Sequence, residues 1–140
     1  MIKLIFRTLP ILFFLIGCSS IPEYIGTKST NNTVLQGTVT PNIFSALANN
    51  SLTTVVVNGG FANKFYLTPG EHFVKVHSQS LSIFSPLSAK HEMFITLEAG
   101  KKYKITSTSS ITTSTVSFYL FDVTGEKEKL LMKETVRGYL

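Results

Sequence analysis

Three histidines, His72, His77 and His91, are the residues of this chain best suited to bind a metal ion or act as a base. His72 and His77 lie five positions apart in a run that alternates like a β-strand, so their side chains point to opposite faces. They cannot share a metal ion. His91 could meet one of them across a sheet, but no Cys or carboxylate stands at a ligand spacing to complete a site. We therefore predict no metal site and no cofactor, and we expect His72 to hydrogen-bond the neighbouring turn.

The pattern of nucleophiles does not indicate an enzyme. Serines are abundant, but none lies in a Gly-x-Ser-x-Gly turn, and Asp122 is the only aspartate. Gly59-Gly60 lacks the Gly, Lys and Ser residues of a phosphate-binding loop. We predict a protein that is not an enzyme and has no catalytic residues.

The charge of the chain argues against nucleic-acid binding. Lys3 and Arg7 belong to the first seventeen residues, which leaves eleven Lys and Arg against eight Asp and Glu. A net charge of +3 is far from the basic stripe that nucleic acid requires. The cluster of Lys101, Lys102 and Lys104 is interpreted as a solvated strand end, with an anion site as the alternative.

The single cysteine, Cys18, follows a segment with the layout of a secretory signal peptide. Residues 1–7 carry two positive charges, residues 8–16 are mostly apolar, and Gly17 is a small residue directly before Cys18. The apolar run is much shorter than the ~20 residues that a membrane-spanning helix needs. We predict a signal peptide over residues 1–17, cleaved between Gly17 and Cys18.

Leu15-Ile16-Gly17-Cys18 resembles the lipobox of bacterial lipoproteins. The resemblance implies that the Cys18 thiol carries diacylglycerol and that the new amino terminus carries a further acyl chain such as palmitate. Two or three acyl chains hold a protein stably at a membrane, whereas one does not. Ser19 and Ser20, in place of an aspartate, imply the outer membrane. We expect the domain to face the periplasm, with exposure at the cell surface as the alternative. Membrane lipid is therefore an expected partner.

Residues 18–32 are rich in small polar residues and are predicted to be a flexible tether. From residue 33 to 140 the apolar periodicity is mostly two, which is typical of β-strands. Seven or eight strands recur every eight to twelve residues with turn signals between them, a spacing that predicts an all-β domain, an antiparallel β-sandwich. The expected strands cover 33–40, 52–58, 61–67, 72–79, 90–98, 102–110, 113–123 and 129–136.

Several turns and two open alternatives follow from the residue types. Asn58-Gly59 and Pro69-Gly70 are turn signals, and residues 61–67 are expected to be the hairpin partner of 52–58. Residues 42–51 could be a packed loop or one helical turn. Residues 126–134 could be a strand or a short helix. The Thr- and Ser-rich stretch 106–117 is interpreted as strand because it alternates with apolar residues.

The turns also carry a resemblance to the small PEGA-like modules of the bacterial cell envelope. Asn58-Gly59, the segment 67–72 (Leu-Thr-Pro-Gly-Glu-His) and the segment 99–105 (Ala-Gly-Lys-Lys-Tyr-Lys-Ile) occupy the places of that pattern. The chain departs from it in having Asn58 where those modules have an acidic residue. The resemblance implies a sandwich used for display or for binding.

An aromatic run supplies the remaining functional signal. Phe118-Tyr119-Leu120-Phe121 lies on a predicted strand, so either Phe118 and Leu120 or Tyr119 and Phe121 must point away from the core. The outward pair could contact lipid, a partner or a second layer of the protein. The sequence predicts a lipid-anchored envelope protein that binds a protein or an envelope polymer. The alternative is a structural or inhibitor-type (immunity-type) lipoprotein.

Replacing Cys18 tests the anchor. Cys18→Ser removes the thiol that the lipobox resemblance assigns to diacylglycerol, so we expect an unprocessed precursor that no longer incorporates labelled palmitate. Ser19→Ala is the matched control and should be processed normally. Unchanged processing of Cys18→Ser would contradict the lipidation hypothesis.

Overall fold

The computed structural model describes residues 22, 24–37, 51–80 and 86–140, and these form an all-β structure of two packed sheets. The predicted β-sandwich is confirmed. Eight of the strands have four or more residues, in line with the expected seven or eight. The strands of the described residues are β1 Tyr24–Ile25, β2 Thr33–Gln36, β3 Ser51–Val57, β4 Gly60–Phe61, β5 Lys64–Leu67, β6 Gly70–Ser80, β7 Ser88–Leu97, β8 Lys102–Ser110, β9 Thr115–Asp122 and β10 Lys129–Arg137.

The larger sheet has the strand order β1-β5-β2-β8-β9-β10. Most of its pairs are antiparallel, as expected, but β2 runs parallel to β8, with Val34 opposite Lys102, and β1 runs parallel to β5. Parallel neighbours need a long crossover connection. The chain between β2 and β8 supplies one, because it contains every strand of the smaller sheet together with β5.

The smaller sheet has the order β4-β3-β6-β7 and is antiparallel throughout. Its longest pairing joins β6 to β7, from Gly70 opposite Leu97 to Gln79 opposite Ser88. The predicted strand over residues 72–79 is confirmed as part of β6, and its alternation buries Val74 and Val76 on one face.

The predicted hairpin of residues 61–67 with 52–58 is wrong beyond Phe61. Asn58 and Gly59 make the turn with positive φ values of 50° and 76°, and Gly60–Phe61 pair with the end of β3. The chain then leaves for the larger sheet, where β5 pairs with β2. The alternation of residues 61–67 identifies a buried face but not the sheet to which it belongs.

The core fills the space between the two sheets. Inward residues alternate with outward ones along each strand, so both sheets contribute large apolar side chains. The Tyr103 hydroxyl, although buried, accepts a hydrogen bond of 2.9 Å from the backbone N–H of Glu98. The largest fully buried side chains are Tyr103, Phe65, Phe118, Leu35, Met93, Ile95, Leu97, Ile105, Val55, Val74, Val76 and Val116.

Buried hydroxyls connect the two sheets at one end of the core. Ser107 on β8 lies 2.7 Å from Thr53 on β3, and it donates a hydrogen bond of 2.7 Å to Ser78 on β6. These groups satisfy one another away from water. Ser107 belongs to the Thr- and Ser-rich stretch 106–117. The alternation of β8 turns its side chain inward, where these hydrogen bonds satisfy its hydroxyl.

The two uncertain strands are both present. The stretch 106–117 contains the end of β8, a turn over 111–114 and the start of β9, so its assignment as strand is confirmed outside that turn. Residues 129–137 form β10 rather than a helix, with Met132, Glu134 and Val136 less exposed than their neighbours. These less exposed residues recur at every second position, as expected for a strand that buries one face.

Some sequence predictions lie outside the described residues: Gly17 and Cys18, the signal peptide, and all but the last residue of the 42–51 segment. Within the 18–32 segment, Tyr24–Ile25 pair with β5 as strand β1. The larger sheet therefore begins before residue 33.

Gly59 offers a direct test of the β3–β4 turn. A Cβ at Gly59 would meet no atom within 4 Å, so Gly59→Ala isolates the cost of the positive φ of 76°. That cost is roughly 1–2 kcal/mol, and we expect the free energy of unfolding in urea to fall by this amount. Gly125→Ala, at an equally open turn without a positive φ, is the control and should change stability little. Equal effects of the two substitutions would contradict the assigned turn.

Candidate functional site

The outward aromatic pair is Tyr119 and Phe121. Phe118 and Leu120 are buried in the core, so the alternation of β9 turns Tyr119 and Phe121 to the outer face of the larger sheet. Their ring centroids lie 6.2 Å apart with an interplanar angle of 21°. Of the two arrangements that the sequence left open, the structure has this one. The terminal strand β10 lies beside β9 in the same sheet and does not cover the pair.

Each of the two rings has a lysine beside it. Lys104 on β8 is directly opposite Phe121, and its Nζ lies 5.9 Å from the ring centroid. Lys133 on β10 is directly opposite Tyr119, with Nζ 5.6 Å from that ring. These are cation–π distances. The sheet register therefore places alternate aromatic and cationic groups side by side.

Further basic side chains share this outer face. Lys104 contacts the Glu128 carboxylate, whereas four of the five cations have no ion pair within the described residues. We call the set the aromatic–lysine face; it comprises Tyr119, Phe121, Lys64, Lys102, Lys104, Lys133 and Arg137.

The hydroxyl of Tyr119 is held in a polar environment. The Thr108 hydroxyl donates a hydrogen bond of 3.3 Å to it, and this bond, with a smaller contribution from the Lys133 ammonium, lowers the pKa of Tyr119. Partial burial opposes the shift. Rings, ammonium groups and hydroxyls together can bind an anionic or hydroxyl-rich polymer through ion pairs, hydrogen bonds and ring contacts.

Within the cluster of Lys101, Lys102 and Lys104, the role of Lys101 is mainly structural, whereas Lys102 and Lys104 belong to the aromatic–lysine face. Lys101 Nζ lies 2.7 Å from Glu98 and 3.5 Å from Asp122. Asp122 also accepts a hydrogen bond of 2.9 Å from the Thr124 N–H, and its pKa is lowered by Thr124 first and by Lys101 to a smaller extent. Lys101 thus ties neighbouring turns together.

The three histidines lie apart. His72 Nε2 is 2.7 Å from the Thr68 carbonyl oxygen, which confirms the expected bond to its own turn. His77 faces outward on the smaller sheet, opposite Lys90. His91 faces inward, where its ring lies 5.9 Å from that of Phe118. Among the described residues no group of three or more metal-ligating side chains comes together.

His91 joins the two sheets at one side of the sandwich. Its Nε2 contacts the carboxylate of Glu134, which points inward from β10. The strands β7 and β10 are each the last strand of their sheet, so this contact bridges two sheet edges. The sequence offered no signal for it, because residues 91 and 134 are far apart along the chain.

Comparison with known proteins gives no relative for this chain. No protein-family model matches it, and no significant match is found among curated proteins or solved structures. Within the described part of the chain, no helix is long and apolar enough to cross a membrane.

His77 provides a pH-dependent probe of the smaller sheet. Partial burial and then the charge of Lys90 lower the pKa of His77 below its ordinary value of 6.5. The unfolded chain therefore binds this proton more readily than the folded chain, so the contribution of His77 to stability falls as the pH drops below about 6.5. Above that pH both states are neutral and the contribution is constant.

Removing the charge of Lys90 tests this assignment. We expect Lys90→Gln to raise the pKa of His77 toward 6.5, as measured from the ring Cε1 shift during an NMR titration. Lys127→Gln, in an exposed turn, removes the same charge elsewhere and should leave His77 unchanged. An unaltered titration in Lys90→Gln would show that Lys90 does not act on His77.

Proposed function

We propose that this protein is a non-enzymatic lipoprotein of the bacterial outer membrane, anchored through acylated Cys18, whose β-sandwich binds an envelope polymer or an envelope protein in the periplasm. The anchor rests on the Leu15-Ile16-Gly17-Cys18 motif. The binding role rests on the aromatic–lysine face.

The observation that carries the binding role is the regular alternation of rings and cations around Tyr119 and Phe121. A solvated sheet surface needs no aromatic rings, and Tyr119 and Phe121 are only half-buried, so their rings gain further free energy of apolar burial when a partner covers them. Charge complementarity indicates an anionic partner, because the face carries five cations and one neighbouring carboxylate.

The extent of the face favours a polymer over a small molecule. Outward residues run from Lys64 on β5, across β2, β8 and β9, to Lys133 on β10, which is four strand spacings or about 19 Å. A chain of repeating anionic or hydroxylated units can contact such a length continuously. A partner protein would need a matching acidic surface.

The positions of the histidines support a non-enzymatic role. His72 bonds a carbonyl oxygen and His91 contacts a carboxylate. The buried hydroxyls of Thr53, Ser78 and Ser107 bond one another. Within the described residues, the contact of His72 holds a turn, the contact of His91 joins two sheet edges, and the bonded hydroxyls lie in the core.

A different surface favours the inhibitor-type alternative. The strand β10 is the last strand of its sheet and carries exposed Leu130 and Leu131. An extended segment of another protein could pair with this edge. Such a contact would suit a lipoprotein that binds and inhibits one enzyme.

The test uses crosslinking in intact cells, with mass spectrometry and glycan analysis of the recovered material. We expect wild-type protein to recover an anionic envelope polymer or an acidic envelope protein, and Tyr119→Ser/Phe121→Ser to recover about tenfold less, which corresponds to about 1.4 kcal/mol. Phe94→Ser removes an exposed ring from the other sheet and should have no effect. An enzyme recovered equally by all three would overturn the proposal and favour the inhibitor role.

A further inference from the structure

The outer face of the smaller sheet contains a groove that the proposed function does not use. Its volume is roughly 910 Å³, within the range of small-molecule sites. A neighbouring hollow of roughly 240 Å³ shares Val56 and Lys75 with it. The two hollows follow β6 in the direction from His77 to Phe73.

The floor of the groove is apolar. Val56 on β3 and Phe61 on β4 are cross-strand partners whose side chains face outward. Beyond Lys75, the exposed rings of Phe73 and Phe94 are directly opposite each other with centroids 5.1 Å apart. Phe94 is 72% exposed. An apolar ligand in the groove would cover surface that is now in contact with water.

The His77 end of the groove is cationic. His77 lies directly opposite Lys90, and Lys75 is two residues away on the same face. One carboxylate, Glu92, lies nearby, and it is 3.4 Å from Lys75. Lys90 has no such partner among the described residues. When His77 is protonated, it and Lys90 are like charges directly opposite each other on the sheet, and they repel each other. An anion between them removes this repulsion.

We propose that this groove binds a long-chain carboxylate of the fatty-acid type, with its carboxylate between His77 and Lys90 and its chain over Val56 and Phe61 toward Phe73. The distance from residue 77 to residue 73 along β6 is about 13 Å, which suits an extended acyl chain. The methylene stem of Lys75 covers the chain while its ammonium group remains with Glu92.

The site is independent of the aromatic–lysine face. The two surfaces lie on opposite sides of the sandwich, so the loss of either function leaves the other intact. Failure of polymer binding and failure of carboxylate binding are therefore distinguishable.

The experiment uses the full chain in phosphatidylcholine nanodiscs, titrated with dodecanoate while the ring signals of the three histidines are followed by NMR. We expect the pKa of His77 to rise on saturation, since a bound carboxylate favours the protonated ring. His72, which does not line the groove, should not change. Acetate should act at least tenfold more weakly because it lacks the chain, and dodecanol should leave the pKa of His77 unchanged because it lacks the charge.

Two substitutions with matched controls locate the ligand. Lys90→Gln and Phe61→Ser should each weaken dodecanoate binding about tenfold. Lys127→Gln removes the same charge and Ile111→Ser removes another large apolar side chain, both at exposed positions elsewhere, and both variants should bind normally. Unchanged His72 and His91 signals in every variant show that the fold is retained.

Three results would overturn the assignment. Equal effects of acetate and dodecanoate would show simple anion binding, and equal binding of dodecanol and dodecanoate would show that the charge is irrelevant. A rise in the His77 pKa produced by phosphatidylglycerol nanodiscs alone would assign the groove to a bilayer lipid rather than to a free carboxylate.

Discussion

The burial of large side chains between the two sheets is the interaction on which the rest of the structure depends. Phe65, Tyr103 and Phe118 come from three different strands of the larger sheet and meet residues such as Met93 from the smaller one. Because a strand alternates strictly, each inward residue determines the direction of its neighbours. Burial of Phe118 therefore leaves Tyr119 on the outer face.

The same constraint gives the two outer faces different chemistry. On the larger sheet, Tyr119 and Phe121 lie among lysines, because the pairing of β9 with β8 and β10 brings Lys104 and Lys133 beside them. On the smaller sheet, the departure of the chain after Phe61 leaves β4 only two residues long. β4 pairs only with the last two residues of β3. The outer face on this side of the sheet contains an open groove rather than a flat surface.

The contacts at the edges complete the sandwich. His91 and Glu134 bridge β7 and β10, and the backbone of Tyr139 exchanges two hydrogen bonds of 2.8 Å with Ser88 at the start of β7. Both contacts hold the end of the chain against the smaller sheet. They reduce the exposed edge of β7, which would otherwise be free to pair with another chain.

The sequence by itself determined the fold class, most strand positions and the turns at Asn58-Gly59 and Pro69-Gly70, because strand alternation and turn chemistry are local properties. It also limited the outward aromatic pair to two choices. Only the tertiary structure decided that Tyr119 and Phe121 face outward and which lysines lie beside them. The sheet change after Phe61, the parallel pairing of β2 with β8 and the His91–Glu134 contact were equally beyond the sequence. Each joins residues that are distant in the chain, and a periodic pattern identifies which face of a strand is buried without identifying the strand that covers it.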